Sequence, residues 1–528
     1  MTLVIIRSTR PRLRTRPVPA IGNLLRFMVG LGVLASVLPA QARSAPRAYS
    51  AHELAADLRL VRNLLESRHP ALYAFTDRMT LDSLFAQAES LIDRPMTSRE
   101  FYQIAAPIVA RVGCGHTTLT MATDSLTSHP DRFLPLRLFV LGDRAFVREA
   151  VVTADGLPDT PAPGAELLTV NGIAVSALLS RMRAAISADG RNDGWKTALL
   201  NGGFLYDLYA LLLGFPERFE LTFRAGTPGS WARGGQLKTS LPAVSRRAVI
   251  DPSAGAGVDR RTSTGDPHID FTLSKNGDAA VLTIKTFAYY RSRETFNAII
   301  DGAFARIRAA GCRNLILDLR GNGGGDPFCA SHLLAYLAPA PVPYFARSYP
   351  SYASLATPIV LPENRFRGCL YTLIDGGCFS STGHLCALLK FHRIGTFVGS
   401  ETGATYECND AARTDTLTAT GLRLRVARAT YTVAVEGMAR ERGVSPDCAV
   451  EPSIRDILDR RDPVMERAWS LIERRKSSRG GHPADHGGSL GVSRGVLPRS
   501  SSALQRVPDR DSAGEETDPA GGAGSPPA

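Results

Sequence analysis

The chain has 528 residues, of which 44% are hydrophobic and 21% charged, and its formal net charge is +12. This length is enough for several domains with large buried cores, so a small disulfide scaffold and a wholly disordered chain are both excluded. No apolar runs of the ~20 residues that a multi-span membrane protein repeats occur. A net positive charge favours binding to nucleic acid or to membrane surfaces. Whether it indicates such a partner here depends on where in the chain the basic residues lie.

Half of the net positive charge lies in the first 42 residues, which contribute +6 of the +12. Residues 1–42 hold six Arg and no acidic residue, whereas 476–528 hold six basic and six acidic residues. An Arg-rich stretch ending at Arg26, the apolar segment Phe27–Leu38 and the small-x-small sequence Ala40–Ala42 have the order of a secretory signal. We therefore predict a signal peptide over 1–42, export to the periplasm or medium, and no stable membrane span after cleavage.

Other partner and cofactor classes find little support in the sequence. No basic stripe with interleaved aromatic residues occurs, so nucleic acid is not an expected partner. The eight cysteines show no C-x-x-C pair and no zinc-finger spacing, and HExxH is missing. We expect mostly buried thiols with room for one disulfide bridge, no metal and no cofactor. The oligomeric state is not predicted.

The pattern from residue 50 to about 130 is that of a small helical N-terminal domain. Ser50 with Glu53 and Thr97 with Glu100 fit capping boxes. Apolar residues then recur at helical spacing. They are Leu54, Leu58, Val61 and Leu65 in one segment, and Phe101, Ile104, Ile108 and Val112 in the other.

Residues 134–225 change to short β-type runs, Leu136–Leu141 and Arg144–Val152, and then to a run closed by the turn sequence Asn171-Gly172. Gly, Ser, Arg and Pro dominate 226–267, which predicts a linker or insertion.

The segment 268–475 has the most regular pattern. A strand at Ala279–Lys285, a helix at Ser292–Ala310 and a strand at Asn314–Leu319 predict a βαβ crossover, and hence an α/β core with a parallel or mixed sheet. The composition of residues 476–528 predicts a disordered tail.

Two small-residue turns in this core could carry chemistry. The glycine-rich turn Arg320–Asp326 follows a strand directly and could point N–H groups at an oxyanion or an anionic ligand. A second strand, Leu370–Ile374, leads into the turn Asp375–His384, which holds Ser380 and Ser381 at the start of a helix. A serine there gains from the helix dipole and from free N–H groups, but these residues alone do not separate the two serines.

A serine nucleophile needs a base, and two histidines qualify. His116 lies in a glycine-flanked turn after a helix, and His384 lies one helical turn after Ser380. The G-x-S-x-G sequence at Gly487–Gly491 has no strand before it and no helix after it, so it does not indicate a nucleophile.

On these residues the chain resembles the tail-specific, or C-terminal processing, serine peptidases, especially the branch related to the tricorn protease core. The resemblance covers about residues 51–475 and implies a crotonase-like α/β catalytic core with a PDZ-like β segment at 134–225. The matching pieces, in the family's order, are Arg68–Tyr73, Gly115-His-Thr117, Gly164–Gly172, Leu317–Gly325, the Gly-x-Phe-Ser-Ser turn, Glu401-Thr-Gly403 and Arg442–Asp447.

The family uses two catalytic schemes. One pairs the serine with a later lysine, which would fall near Thr405, and residues 391–475 contain no lysine. The other implies the triad His116, Ser380 and Glu441 here. Ser380 would attack the scissile carbonyl, His116 would take its proton, and Glu441 would orient the imidazole.

The same resemblance implies an oxyanion hole made by the N–H groups of Gly323 or Gly324 and of Ser381. The sequence departs from the family at Gly383, where many members carry an acidic residue.

We therefore expect an exported serine endopeptidase that acts on peptides or proteins. The main alternative is a catalytically silent protein on the same scaffold that binds peptide tails or a hydrophobic ligand. An esterase or amidase would share the triad and differ only in the shape of its pocket.

Overall fold

The structure is a computed structural model that describes residues 47–121, 129–151, 160–224, 235–250 and 262–480. The chain divides into two units, 1–472 and 473–528. The predicted signal peptide and the G-x-S-x-G sequence lie outside the described residues. So does most of the predicted disordered tail, of which 476–480 are helical.

Three helices open the described chain, and their caps follow from the sequence. The two predicted capping boxes are present, at Ser50 and Thr97. Each supplies partners to N–H groups that the helix itself leaves unpaired. The predicted apolar faces are buried apart from Ile104, which is half-buried. The helices are α1 (Ala51–Arg68), α2 (Arg78–Leu91) and α3 (Ser98–Arg111).

Three short strands border these helices. β1 (Ala48–Tyr49) pairs antiparallel with β2 (Met96–Thr97), and β3 (Thr118–Thr120) follows α3.

A second group of strands forms an antiparallel sheet. The strands are β4 (Leu136–Leu141), β5 (Arg144–Ala150), β6 (Glu166–Val170), β7 (Ile173–Ala174), β8 (Arg218–Arg224) and β9 (Gln236–Pro242). Their order is β4-β5-β6-β8-β9, with β7 paired to β6. The predicted β runs correspond to β4, β5 and β6, whereas most of 175–213 in the same interval is helical.

The interval expected to be a linker differs from this expectation over 236–250. β9 pairs with β8 along all seven residues, and a short helix follows it. Only Leu241 of the β9 side chains is buried. The strand therefore lacks the alternation of apolar and polar residues by which a sequence reveals it.

The remaining helices of this region are α4 (Val175–Ala184), α5 (Asp193–Leu199), a π-helical turn (Leu200–Phe204), α6 (Leu205–Leu213) and α7 (Arg246–Ile250). Their apolar side chains share one core with the N-terminal helices and the antiparallel sheet. Val109 of α3, Leu136 of β4 and Leu208 of α6 all belong to this cluster.

Ten more strands lie within 262–472. They are β10 (Ile269–Leu273), β11 (Ala279–Ile284), β12 (Asn314–Asp318), β13 (Cys369–Ile374), β14 (Thr396–Gly399), β15 (Glu407–Asp410), β16 (Arg413–Thr416), β17 (Arg423–Val426), β18 (Ala429–Thr432) and β19 (Cys448–Ala449). Six of them form the central sheet in the order β10-β11-β12-β13-β14-β19. β10 is antiparallel to β11, and the other four pairs are parallel.

Helices make the crossovers of this sheet. They are α8 (Arg293–Ala309), α9 (Pro327–Leu337) and α10 (Ser381–Phe391), with a 3-10 helix at Pro350–Ala356. Two further helices, α11 (Ile454–Leu458) and α12 (Pro463–Gly480), follow the last strand. The predicted crossover from β11 through α8 to β12 is confirmed to within a residue at each end. The mixed α/β class is therefore confirmed.

One small sheet joins the two halves of the chain. β17 pairs antiparallel with both β16 and β3, with Arg425 opposite Thr118. Because Thr118 follows His116 by two residues, this pairing fixes the histidine turn against the α/β core. β15 and β18 form a separate antiparallel pair.

All eight cysteines are free thiols, and five of them are buried. The prediction of mostly buried thiols is confirmed, and no disulfide bridge forms. Among the described residues, no helix is both long and apolar enough to cross a bilayer.

A buried carboxylate offers a test of how the N-terminal helices are attached. Asp57 of α1 is 1% exposed and accepts hydrogen bonds from Ala419 N–H (3.0 Å), Thr420 N–H (2.8 Å) and Thr420 Oγ (2.7 Å). Asp57→Asn replaces one acceptor by a donor and should lower the free energy of unfolding by about 2 kcal/mol. Thermal unfolding followed by circular dichroism measures this loss. Asp93→Asn, at an exposed position, is the matched control, and equal midpoints for the two variants would contradict the prediction.

Candidate active site

Two glycine-rich turns meet at one edge of the central sheet. β12 and β13 run parallel, with Asp318 opposite Leu373, so the turns that follow them leave the sheet side by side. Asp375 ties the turns together, because its Oδ1 accepts from Gly321 N–H (2.8 Å) and from Gly377 N–H (2.9 Å).

Asn322 makes a second link between the turns, and it is fully buried. Its Oδ1 accepts from Gly324 N–H (2.9 Å) and from Thr382 Oγ (2.8 Å), and its Nδ2 donates to Ile284 O (3.1 Å). Sequence reasoning singled out the glycines of this turn and missed the asparagine. The sequence did contain an indication of this role, because an Asn side chain within a glycine-rich turn commonly hydrogen-bonds to nearby backbone groups and stabilises the turn.

Ser380 lies at the sharp end of the second turn, immediately before α10. Its backbone has φ 56° and ψ −127°, a conformation that costs an L-residue of order 1–3 kcal/mol. Although Ser380 is the N-cap of α10, its side chain makes no capping hydrogen bond. Its Oγ lies 3.2 Å from His116 Nε2 instead.

The neighbouring serine has a different role. Ser381 Oγ accepts from Gly325 N–H (2.8 Å) and donates to Gly325 O (3.0 Å). Ser381 therefore links the two turns, while Ser380 faces the histidine. The imidazole of His384, the other candidate base, makes no hydrogen bond to Ser380 in the described structure.

His116 reaches Ser380 from a tight turn after α3. Thr117 N–H donates to Cys114 O (3.0 Å), and Gly115 passes so close to Phe379 that a Cβ there would lie 2.5 Å from its ring. The imidazole stacks on Phe379 with centroids 4.8 Å apart, and Phe379 stacks on Trp195 at 4.1 Å. These rings exclude water from one side of the imidazole.

Burial sets the protonation state of His116. Its side chain is 8% exposed, and burial lowers its pKa. Asp410 acts in the opposite direction, with Oδ2 3.7 Å from Nε2, whereas Arg425 adds to the lowering. Arg425 donates to Asp410 Oδ1 (3.1 Å) and to His116 O (3.3 Å). The net effect is a neutral imidazole that can accept the Ser380 proton at Nε2.

Glu441 does not reach the imidazole in this structure. It is exposed, and its carboxylate makes no hydrogen bond to His116, whose Nδ1 has no partner among the described residues. The backbone of Glu441, unlike its side chain, contacts the segment beside the histidine turn, because Glu441 O accepts from Arg191 N–H (3.0 Å). Gly190 lies against Glu441 Cα and donates its N–H to Gly113 O (2.9 Å). Only the backbone of Glu441 therefore borders the histidine turn, and its catalytic role stays a prediction.

Two other carboxylates lie beside this turn, and the sequence did not single them out. Asp189 Oδ1 accepts from Gly115 N–H (2.7 Å), its Oδ2 has no partner in the described structure, and burial raises its pKa to about 7. Asp410 ends β15. Neither residue lies in a recognisable motif, because packing between distant segments brings each of them to His116.

The glycine turn presents N–H groups next to Ser380. Gly323 N–H and Ser381 N–H have no acceptor among the described residues, whereas Gly324 N–H donates to Asn322. Gly324 has φ 93°, and a Cβ there would lie 2.8 Å from Ser380 Cβ and 3.0 Å from Ser381 N. This contact therefore requires glycine, and it places the glycine turn directly against Ser380 and Ser381.

An open cleft of about 1070 Å³ begins at the two turns. Gly323 and Gly377 line it on the side of the core, and Val140 of β4 and Asn201 of the π-helical turn line it on the other. Its volume lies at the upper end of the roughly 300–1,000 Å³ that is usual for small-molecule pockets.

Neither a metal cluster nor the nearest lysine in sequence competes with Ser380 and His116 as the reactive centre among the described residues. Within the described ranges, no group of three His, Cys, Asp or Glu side chains is placed to hold a metal ion. Lys390, the lysine nearest in sequence to Ser380, is bound to Asp447.

A serine in a strained turn, paired with a buried neutral histidine and flanked by free N–H groups, is the arrangement of a serine-type hydrolase. Residues 278–450 match the family model of peptidase family S41. This segment, which holds both turns and Ser380, is therefore similar to peptidase family S41, and the protein is a serine-type peptidase.

Solved structures show the same fold. Mature CPAF complexed with lactacystin is 15% identical, with a TM-score of 0.55 over 82% of this chain and 99% of that chain. Mature CPAF is 16% identical, with a TM-score of 0.51 over 77% and 94%. No curated protein matches the sequence.

The charge pair beside His116 gives a prediction that is independent of turnover. Asp410 raises the pKa of His116, so Asp410→Asn should lower this pKa further below its ordinary value of about 6.5. An NMR titration of the imidazole protons measures it, with the signal assigned by its loss in His116→Gln. Asp93→Asn should leave the titration unchanged, and an unchanged or raised pKa in Asp410→Asn would refute the electrostatic account.

Proposed function

We propose that the protein is an exported endopeptidase in which Ser380 is the nucleophile and His116 the general base. The observation that carries this proposal is the 3.2 Å contact between Ser380 Oγ and the Nε2 of a buried, neutral imidazole. Export is supported by the order of basic, apolar and small residues over 1–42.

In the proposed reaction, Ser380 Oγ attacks the scissile carbonyl while His116 Nε2 takes its proton and later gives it to the leaving amine. Asp410, 3.7 Å from Nε2, stabilises the imidazolium that forms between these steps. The N–H groups of Gly323 and Ser381 receive the oxyanion, and each such donor contributes about 3 kcal/mol in comparable sites. Of the two glycines that the sequence left open, Gly323 has the free N–H.

Glu441 is our proposed third member of the triad. Its support is the family resemblance and the contact of its backbone with Gly190, which borders the histidine turn. Within the described ranges, His116 Nδ1 has no hydrogen-bond partner that would fix the tautomer of the imidazole. An acid acting at Nδ1 would complete the arrangement.

A peptide or protein is the proposed substrate class. The open cleft begins at Gly323 and Gly377, so an extended chain lying in it would pass the free N–H groups before it reaches Ser380. An esterase uses the same chemistry, and comparison of peptide and ester substrates distinguishes the two activities.

The nucleophile can be tested with an active-site probe. A fluorophosphonate should label the wild type and spare Ser380→Ala, and peptide hydrolysis should fall by about 10⁴-fold or more in Ser380→Ala and in His116→Ala. Ser90→Ala, an exposed serine on α2, is the matched control and should behave like the wild type. Labelling that persists in Ser380→Ala would overturn the assignment. A wild type that binds peptides without cleaving them would favour the silent binding protein.

The third member can be tested by comparing two isosteric changes. If Glu441 orients His116 during turnover, Glu441→Gln lowers kcat by up to about 10⁴-fold, as loss of the triad acid does elsewhere. Asp410→Asn should have a smaller effect, because Asp410 lies near Nε2 and stabilises charge without fixing the tautomer. Steady-state kinetics at pH 7–8 measure both. A Glu441→Gln enzyme with unchanged kcat would exclude Glu441 from the triad.

A further inference from the structure

A small cavity adjoins Ser380, separate in its lining from the open cleft. Its volume is about 30 Å³, enough for one or two water molecules or a short side chain. Its walls are largely aromatic, formed by Tyr290, Phe345, Tyr352 and Tyr431. The polar side chains that line it besides the serines and tyrosines are His384 and Asp410.

His384 has no partner for either of its ring nitrogens among the described residues, although it is only 2% exposed. The rings of Tyr344 and Phe345 meet it edge-on, with centroids 6.3 and 6.0 Å away. Burial lowers its pKa to about 3, so the imidazole is neutral and offers one donor and one acceptor. Buried polar groups are almost always paired, and an exception calls for a missing partner.

The position of the cavity indicates what this partner is. Because Ser380 Oγ attacks a carbonyl carbon, the side chain closest to Ser380 belongs to the residue that contributes that carbonyl. Ser380 and His384 both line the cavity, so a side chain that fills it lies against the imidazole that carries the unpaired nitrogens. A cavity of this size and polarity holds water in the free enzyme, and a substrate side chain that displaces the water must replace its hydrogen bonds or lose affinity.

We propose that His384 is a specificity-determining residue, which hydrogen-bonds a short, uncharged polar side chain, such as Ser, Thr or Asn, on the residue whose carbonyl is attacked. The volume excludes rings and long chains, and the Asp410 carboxylate disfavours an acidic side chain. This inference rests on the proposed function, because it assumes that Ser380 is the nucleophile.

The test uses two peptides that differ only in Thr or Val at this position, a pair of equal shape in which only Thr carries a hydroxyl. The wild type should prefer Thr by about tenfold in kcat/KM, since Val leaves His384 unpaired. His384→Leu should bring the Thr-to-Val ratio close to one, whereas His384→Gln, which keeps a donor and an acceptor, should restore part of the preference. His52→Leu, at an exposed position of α1, is the matched control and should keep the wild-type ratio.

The possible outcomes distinguish failure of this inference from failure of the proposed peptidase function. A wild-type ratio near one overturns the inference even if His384→Leu does not fold. A ratio that His384→Leu leaves at the wild-type value, while Ser380→Ala is inactive, overturns it as well. Turnover that survives in Ser380→Ala refutes the proposed function instead. Thermal unfolding of each variant shows which ratios come from folded protein.

Discussion

The site depends on the close approach of two turns at the carboxyl ends of β12 and β13. Parallel pairing with Asp318 opposite Leu373 brings the turns side by side, and a Cβ on Gly324 would collide with Ser380. Two hydrogen bonds across the gap hold this contact, from Thr382 Oγ to Asn322 Oδ1 and from Gly325 N–H to Ser381 Oγ. The strained backbone of Ser380 persists because the surrounding bonds fix it from both sides. The nucleophile and the free N–H groups are thus positioned by one packing constraint.

His116 lies far from Ser380 in the sequence, so its position beside the serine depends on packing between distant segments of the chain. β17 lies within the α/β segment, yet Leu424 and Val426 are buried in the same apolar cluster as the N-terminal helices. β17 also pairs with β3, directly after His116. The N-terminal helices are therefore part of the scaffold of the site, since they hold the strand that positions the base. An open form of this interface would separate base and nucleophile.

Local patterns predicted much of this fold, and long-range packing explains what they missed. Capping boxes at Ser50 and Thr97 and the crossover around α8 depend on residues close in sequence, so their pattern shows them directly. β9 was not predicted because most of its side chains are polar or exposed, and its pairing with β8 is visible only in the three-dimensional structure. Asp189 and Asp410 approach His116 through tertiary contacts, which single-sequence patterns do not encode. The choice of Ser380 over Ser381 came from the family resemblance, and the differing partners of the two hydroxyls now give it a physical basis.

The exclusion of water from the site by burial accounts for its electrostatics. The same burial that keeps His116 and His384 neutral raises the pKa of Asp189, because each group loses the water that would stabilise its charge. A dry site also strengthens every charge interaction within it. The positive charge that forms on His116 during proton transfer therefore needs an anion close by, and Asp410 supplies one at 3.7 Å. Arg425 holds Asp410 in place and, as a cation, keeps the resting imidazole neutral. The pair thus stabilises the transient charge without protonating the base beforehand.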